Sequence, residues 1–298
     1  WGCFDYSQQE PRLVAHYALR YGLPSVNTIA DSYDTDSSTD FHKIVAEMAE
    51  IPRSQAKTIN LGLFYGMGKA KLQAELGVSK FKAEELFDKY HTKVPFVKQL
   101  MNEVMKAAAN KGQIKTLLNR KCRFPKYEPI LRGSDWGKYV PAEDQTRMED
   151  LQKMGPYLKD EEGDILKDKE GNPQKNYWHN NATRRAFTYK ALNKLIQGSA
   201  ADMTKKAMLD LYKEGIIPHI QIHDELDLSV EDDKHAQKIK DVMESAVDLK
   251  IPNKVDYESG PNWGSIKWGV FMAYLNANIP VEYAQIRREY LYDLRKHH

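Results

Sequence analysis

The run from Trp1 to Asp5 is short and apolar and ends on a carboxylate, which predicts the end of a strand. A helix of roughly a dozen residues should follow through Gly22, with Pro11 in its first turn and Ser7 as the expected cap. The polar stretch from Asp31 to Asp40 breaks the pattern and reads as a linker. From Phe41 to Gly112 apolar residues recur at helical spacing, with breaks near Ile51-Pro52, Gly66 to Gly68, Gly77 and Pro95. From Tyr127 to Asn181 the chain is rich in Gly, Pro, Asp and Lys, with turns at Asp160-Glu161-Glu162-Gly163 and Lys169-Glu170-Gly171-Asn172. That stretch predicts an insertion with one hairpin, outside the main core. Helix resumes from Ala182 to about Lys213, and no internal repeat is evident.

Between His219 and Val230 apolar and polar residues alternate with period two, the mark of a strand. Unbroken, that strand would set Asp224 on one face with Ile220, Ile222, Leu226 and Leu228, and burying a carboxylate in such a row is costly. A tight hairpin with Asp224 at its tip removes the conflict. A helix from Asp232 to about Leu249, a short strand near Val255 and a tail ending in a basic helix complete the expectation.

Composition changes this picture little. The 298 residues can bury a sizeable core, and 41% hydrophobic with 29% charged residues is the balance of a folded globular protein. Two cysteines, Cys3 and Cys122, are too few for a disulfide framework, which points to a reducing compartment. No apolar run approaches the roughly 20 residues that a bilayer requires, so no membrane is expected. A start at Trp1, inside a strand, suggests an N-terminally incomplete sequence. Charge distribution is more telling than the net +2. Phe41 to Lys126 carries 17 Lys/Arg against 7 Asp/Glu, leaving 27 against 35 elsewhere. A basic block beside acidic segments suits a polyanion-binding subdomain, and equally a Lys-rich set of solvated helices.

Three groups of residues carry candidate chemistry. Phosphoryl transfer to a hydroxyl uses two divalent ions, and magnesium needs few protein ligands because it keeps water and substrate oxygens. Asp5 at a strand end and Asp224 at a hairpin tip are the natural pair, although an aspartate in such a place is also an ordinary turn former. Arg53, Lys57, Leu61 and Tyr65 recur every four residues on one predicted helix. Each step of four turns about 40°, so the set lies within an arc of about 120°. Two cations followed by an aromatic suit a triphosphate and then a base; a solvated basic stripe is the plainer reading.

Taken together these residues resemble family A DNA polymerases, the bacterial DNA polymerase I and T-odd phage group. Asp5-Tyr6-Ser7-Gln8-Gln9-Glu10-Pro11-Arg12 is similar to motif A, Arg53-x-x-x-Lys57-x-x-x-Leu61-x-x-x-Tyr65-Gly66 to motif B, and His223-Asp224-Glu225 to motif C, in the family's order. The resemblance implies an α+β fold, with an antiparallel palm sheet, packed helices and an inserted, mostly helical fingers subdomain. It implies palm in residues 1–35 and 182–268, fingers in 36–181 with the insertion at about 127–181, and a C-terminal helical extension over 269–298.

It also implies roles. Asp5 and Asp224 would bind two magnesium ions, with manganese as an alternative, helped by the Tyr6 carbonyl and with Glu225 nearby. Lys57 would contact the triphosphate and act as general acid toward pyrophosphate. Arg53 and His42 would hold the terminal phosphates, though outside the family His42 would be an ordinary surface histidine. Leu61 and Gln8 would lie beside the nucleotide, and Glu10 would exclude a ribose 2′-hydroxyl. Tyr65 would stack near the templating base, while Asn193, Gln197 and His223 would touch primer-template DNA. Primer-template and deoxynucleoside triphosphates are then the partners, in the cytoplasm, that of the host if a phage encodes the chain.

Several positions depart from the family. Gln9 and Pro11 replace Ile and Leu of motif A, Leu61 stands for Phe or Tyr, and Tyr189, one turn before Asn193, stands where bacterial members have Arg. The divergent motif A and the insertion resemble a phage or viral replicase more than a cellular repair enzyme. The family's thumb and exonuclease lie upstream of motif A, so they belong to a separate or missing segment. Two rivals stay open at this point. A single-subunit phage-type RNA polymerase shares the Lys and Tyr-Gly of the fingers helix, but Glu10 and His223-Asp224-Glu225 argue against it. A catalytically silent DNA-binding fragment would show salt-sensitive DNA binding without synthesis.

Overall fold

The computed structural model describes residues 1–64, 67–131, 139, 141–142 and 144–266. Contacts divide the chain into two compact units, one of Trp1–Ser7, Lys206–Ala246 and the chain from Lys254, the other of Gln8–Lys205 with Val247–Asn253. Tyr65 and the expected extension over 269–298 lie outside the described residues.

The first unit is built on a four-stranded antiparallel sheet of β1 (Gly2–Tyr6), β6 (Ile220–Ile222), β7 (Glu225–Leu228) and β8 (Val255–Ser259), in the order β6-β7-β1-β8. Phe4, Tyr6, Leu226, Leu228 and Val255 alternate onto one buried face, and Ile239 and Met243 of α10 (Asp233–Ser245) are buried with them. The expected helix to Leu249 ends early, at Ser245. β6 is an outer strand, and Ile220 and Ile222 are exposed, as are Leu209, Tyr212 and Ile217 just before it.

The second unit holds α1 (Gln9–Arg20), α2 (Asn27–Thr35), α3 (Phe41–Ala49), α4 (Arg53–Phe64), α5 (Lys69–Leu76), α6 (Lys80–Lys93) and α7 (Pro95–Lys111). A hairpin of β2 (Gln113–Lys115) and β3 (Lys121–Arg123) follows, then β4 (Tyr127–Pro129), α8 (Gln145–Lys153), β5 (Thr183–Arg185), which pairs with β4 across the insertion, and most of α9 (Ala191–Lys213). Leu13, Val14, Phe41, Ile59, Phe64, Phe96, Leu100, Leu192 and Ile196 belong to one apolar core. α9 approaches the β2–β3 hairpin closely, because a Cβ at Gly198 would come within 2.7 Å of Thr116 Cγ2. Arg120 then bonds the buried Asp202 at 2.9 Å and the Gly198 carbonyl at 2.7 Å.

Four local expectations are corrected. The cap position of α1 is Gln8 rather than Ser7, in a left-handed conformation (φ 53°) and without a cap bond from its side chain. Its amide instead accepts from the Phe41 N–H and donates to the Thr39 carbonyl. Asp31 to Asp40 is not all linker, since α2 runs to Thr35 and buries Ile29 and Tyr33. Ala182 to Lys190 is not α-helix: β5 pairs with β4, Phe187 is left-handed (φ 61°), and Tyr189 lies in a 3-10 turn before α9.

Contrary to the expectation of no internal repeat, the insertion contains an eight-residue repeat, Leu158-Lys159-Asp160-Glu161-Glu162-Gly163 and Leu166-Lys167-Asp168-Lys169-Glu170-Gly171. The repeat closes a ring of backbone bonds: the N–H groups of Leu158, Leu166 and Gln174 donate to the carbonyls of Gln174, Leu158 and Leu166. A small separate core of Ala142, Met148, Leu151 and Trp178 accompanies it. Among the described residues no helix is long and apolar enough to cross a membrane.

Acid should weaken the second unit. Burial is the largest influence on His16, His42 and His91 and pushes each from 6.5 down to about 4. The unfolded chain therefore takes up these protons first, so stability falls as pH drops below about 6.5 and goes on falling until about 4. His16→Asn keeps an acceptor for the Lys250 N–H, which His16 Nδ1 accepts at 2.9 Å, and removes one titration. Thermal midpoints measured between pH 7 and 4 should fall less steeply for this variant; an unchanged slope counts against the assignment.

Candidate active site

In the first unit β1 lies between β7 and β8, so Asp5 stands directly opposite Glu225 on one side and Asp256 on the other. Opposed residues of antiparallel strands share a face, so three carboxylates form a row across the sheet. Asp224 is the next residue, in the two-residue turn His223-Asp224 joining β6 to β7. His223 has φ 53°, and Asp224 is not among the positive-φ residues, the pattern of a turn that usually takes glycine first. A left-handed non-glycine residue at a turn tip is strained, and such strain collects at functional sites. The Tyr6 N–H donates to the Asp224 carbonyl at 3.4 Å, tying the end of β1 to that turn.

Asp5, Ile222, His223, Asp224, Glu225 and Trp263 line a cavity of about 350 Å³. Burial raises the Asp224 carboxyl above its ordinary range, against the opposing pull of its own backbone and His223. Like charges side by side on a sheet are destabilising, so this row favours a cation. Its donors are all carboxylate oxygens, the ligand type of magnesium and manganese. The residues present therefore fit such an ion. Tyr6 could contribute only its carbonyl, because its buried phenol donates to the Met243 carbonyl at 2.6 Å.

In the second unit Arg53, Lys57 and Leu61 lie on the outward side of α4, with Arg53 and Lys57 exposed, while Ala56, Ile59, Asn60 and Leu63 are buried. Asp40 caps α3 by accepting the N–H groups of His42 and Lys43, and also binds Arg53 Nε at 2.6 Å. Burial favours its neutral acid, but Arg53 and those two N–H groups outweigh it and hold the carboxyl below its usual range. His42 is buried rather than on the surface, its Nδ1 3.0 Å from Asn60 Nδ2. Glu10 is half-buried in the first turn of α1. Asn193 and Gln197 share one partly exposed face of α9. Lys190 lies over the rings of Phe187 and Tyr189, in the turn that precedes that helix.

Comparison with known proteins decides the family. A match to the DNA polymerase family A sequence profile runs over residues 2–265. The chain belongs to DNA polymerase family A. It is 33% identical over 310 residues to a DNA-directed DNA polymerase of Pseudomonas phage M6, covering 90% of this chain and 39% of that one. With DNA polymerase I of Geobacillus stearothermophilus it shares 31% over 274 residues, 88% of this chain and 26% of the relative. The chain thus spans well under half the length of these relatives. The polymerase domain of Pol1 from M. smegmatis, solved in complex with DNA primer-template and dNTP, has a similar fold, with a TM-score of 0.59, 21% identity and coverage of 89% and 40%. The α+β fold agrees with it.

Within this family A chain, sequence reasoning brought out Asp5, Asp224, Glu225 and the α4 stripe, and missed three features. Asp256 faces Asp5 only because β8 pairs in that register, for which the sequence carries no local signal. Asp227 is wholly buried and accepts the Trp263 indole N–H at 2.8 Å; a third carboxylate in four residues was the available hint. Asn60, on the buried side of α4, contacts His42, and only its polar character among apolar neighbours could have marked it.

Proposed function

We propose that this chain carries the nucleotidyl-transfer site of a template-directed DNA polymerase, adding deoxynucleoside monophosphates to a primer 3′ end. The observation that carries the reading is the acidic row at the β1–β7 junction, in a chain matched to family A over nearly its whole described length. Asp5 and Asp224 would hold two magnesium ions, with Glu225 and the Tyr6 carbonyl in support. The metal would supply Lewis acidity for the primer hydroxyl and the triphosphate.

The chain's own residues do the rest. Arg53, Lys57 and His42 bind phosphate oxygens, and Lys57 gives its proton to the pyrophosphate leaving group. Glu10 rejects a 2′-hydroxyl, while Leu61 and Tyr65 border the nucleotide. Asn193, Gln197 and His223 contact primer-template DNA. Gln8 is already committed to Thr39 and Phe41, so its part is to set the start of α3 rather than to grip substrate. Residues 1–35 and 182–268 serve as palm and 36–181 as fingers, with the insertion at about 127–181. Similarity to a phage enzyme favours a role in phage DNA replication, in the host cytoplasm.

A primer-extension assay tests the reading. With magnesium and four deoxynucleotides the chain, alone or with the upstream polypeptide added, extends a primer; with EDTA or ribonucleotides alone it does not. Ribonucleotide incorporation at comparable rate favours the RNA polymerase alternative. Salt-sensitive DNA binding with no extension in either format overturns the catalytic assignment.

A further inference from the structure

His42 stands at the start of α3, its ring buried, and its Nδ1 meets the side-chain amide nitrogen of Asn60 at 3.0 Å. The oxygen of the same amide accepts the hydroxyl of Tyr90, which is fully enclosed on α6. Asn60 is also fully enclosed, on α4 two turns after Arg53 and one turn after Lys57. Three helices thus contribute one residue each to an enclosed polar line, Tyr90 to Asn60 to His42, inside an otherwise apolar core.

We propose that Tyr90 and Asn60 are positioning residues that fix His42 as the neutral imidazole with its proton on Nε2, so that the ring offers the incoming triphosphate a neutral N–H donor. The proposal rests on the reading of His42 as a phosphate contact.

The argument is a count of protons. Burial pushes the Tyr90 phenol far above its ordinary range, so it keeps its proton and needs an acceptor. The Asn60 carbonyl is the acceptor that it meets. With that oxygen turned to Tyr90, the Asn60 NH2 group must face His42, and an amide nitrogen donates but does not accept. His42 Nδ1 must then be the bare nitrogen, which leaves the ring proton on Nε2. Turning the amide over would set NH2 against the phenol and strand the phenolic proton without an acceptor in an enclosed site. The surroundings favour the neutral ring as well. Burial is the largest influence and lowers its pKa to about 4; Lys57 and Arg53 push the same way, and Asp40 opposes them. Nε2 makes no hydrogen bond among the described residues.

The chemistry gives the arrangement a use. Arg53 and Lys57 already bring two positive charges to the α4 face. A third cation would hold pyrophosphate as firmly as the triphosphate, whereas a neutral donor of fixed direction adds orientation without extra charge.

Nitrogen-15 NMR of the chain labelled in histidine, with His42→Gln to assign the resonances, reads the tautomer directly. The wild type should show His42 protonated on Nε2 at pH 7. Asn60→Asp puts an acceptor against Nδ1 and should move the proton there or charge the ring. Tyr90→Phe removes one hydroxyl, leaves the packing intact, and should release the preference into a mixture of tautomers. In primer extension both variants should raise the dNTP KM, Tyr90→Phe by about 3–10-fold, with kcat within about twofold. A wild-type His42 protonated on Nδ1, or a tautomer unmoved by Tyr90→Phe, overturns the relay. An Nε2-protonated ring whose replacement in His42→Gln leaves the dNTP KM unchanged instead overturns the phosphate reading, and the positioning role with it.

Discussion

Asp224→Asn is expected to reduce nucleotide addition by about 10³-fold or more, the rate equivalent of a few kcal/mol of metal-borne charge stabilisation. The residue sits in the two-residue turn between β6 and β7, one step from Glu225, which faces Asp5 across the strand pair. An amide keeps the shape of the turn but removes the negative charge proposed to hold an ion, and one of its two oxygens. The same substitution should leave the fold intact or make it slightly more stable, because Asp224 is partly buried and its ionised form is disfavoured there. Two measurements separate the effects. Single-turnover extension reads the chemical step, while thermal melts with and without magnesium read ion binding. Wild type should gain stability with magnesium in proportion to the logarithm of its concentration, and the variant should gain much less. A variant that keeps its rate within tenfold, or its full magnesium response, would falsify the assignment of Asp224 as a ligand. Asp5→Asn should behave alike, since Asp5 is the exposed member of an otherwise buried strand.

The second large effect is expected at Lys57. Lys57→Ala should lower kcat/KM for every dNTP by about 10²–10³-fold, the usual cost of removing one preorganised charge or proton donor from a phosphoryl-transfer site. Lys57 is exposed on α4, which is anchored by the buried Ala56, Ile59 and Leu63, so truncation should not disturb the core. Lys57→Arg divides the two roles assigned to the residue. Arginine keeps a positive charge for the triphosphate but does not give up its proton in proteins, so KM should recover while kcat stays low. Recovery of both parameters in Lys57→Arg would show that charge alone matters and that the leaving-group proton comes from elsewhere. DNA affinity at fixed salt should be unchanged in either variant.

What could be read without coordinates follows from local constraints. Period-two alternation around Asp224 called for a turn, because burying an unpaired carboxylate in an apolar row is costly, and the structure has that turn at His223-Asp224. Four-residue spacing put Arg53, Lys57 and Leu61 on one side of a helix, and α4 does carry them outward. Motif order carried the family. Apart from the pairing of Asp5 with Asp224, the sequence held no sign of which distant segments meet. Asp256 opposite Asp5, Arg120 against Asp202, and Gln8 bonded to Thr39 and Phe41 in place of a Ser7 cap all depend on such pairings.

The stretch from Asp31 to Asp40 is polar enough to read as a linker, yet Ile29 and Tyr33 find a core to cover and draw α2 out to Thr35. Ala182 to Lys190 has helix-compatible residues, but pairing with β4 takes Thr183–Arg185 into a strand. The sequence by itself thus determined which residues share a face and where the backbone must turn, since both depend on neighbours a few residues away. Only the tertiary structure decided strand register and the partners of buried polar groups such as His42, Asn60 and Tyr90, because those are chosen by which distant donor happens to meet which acceptor when water is excluded.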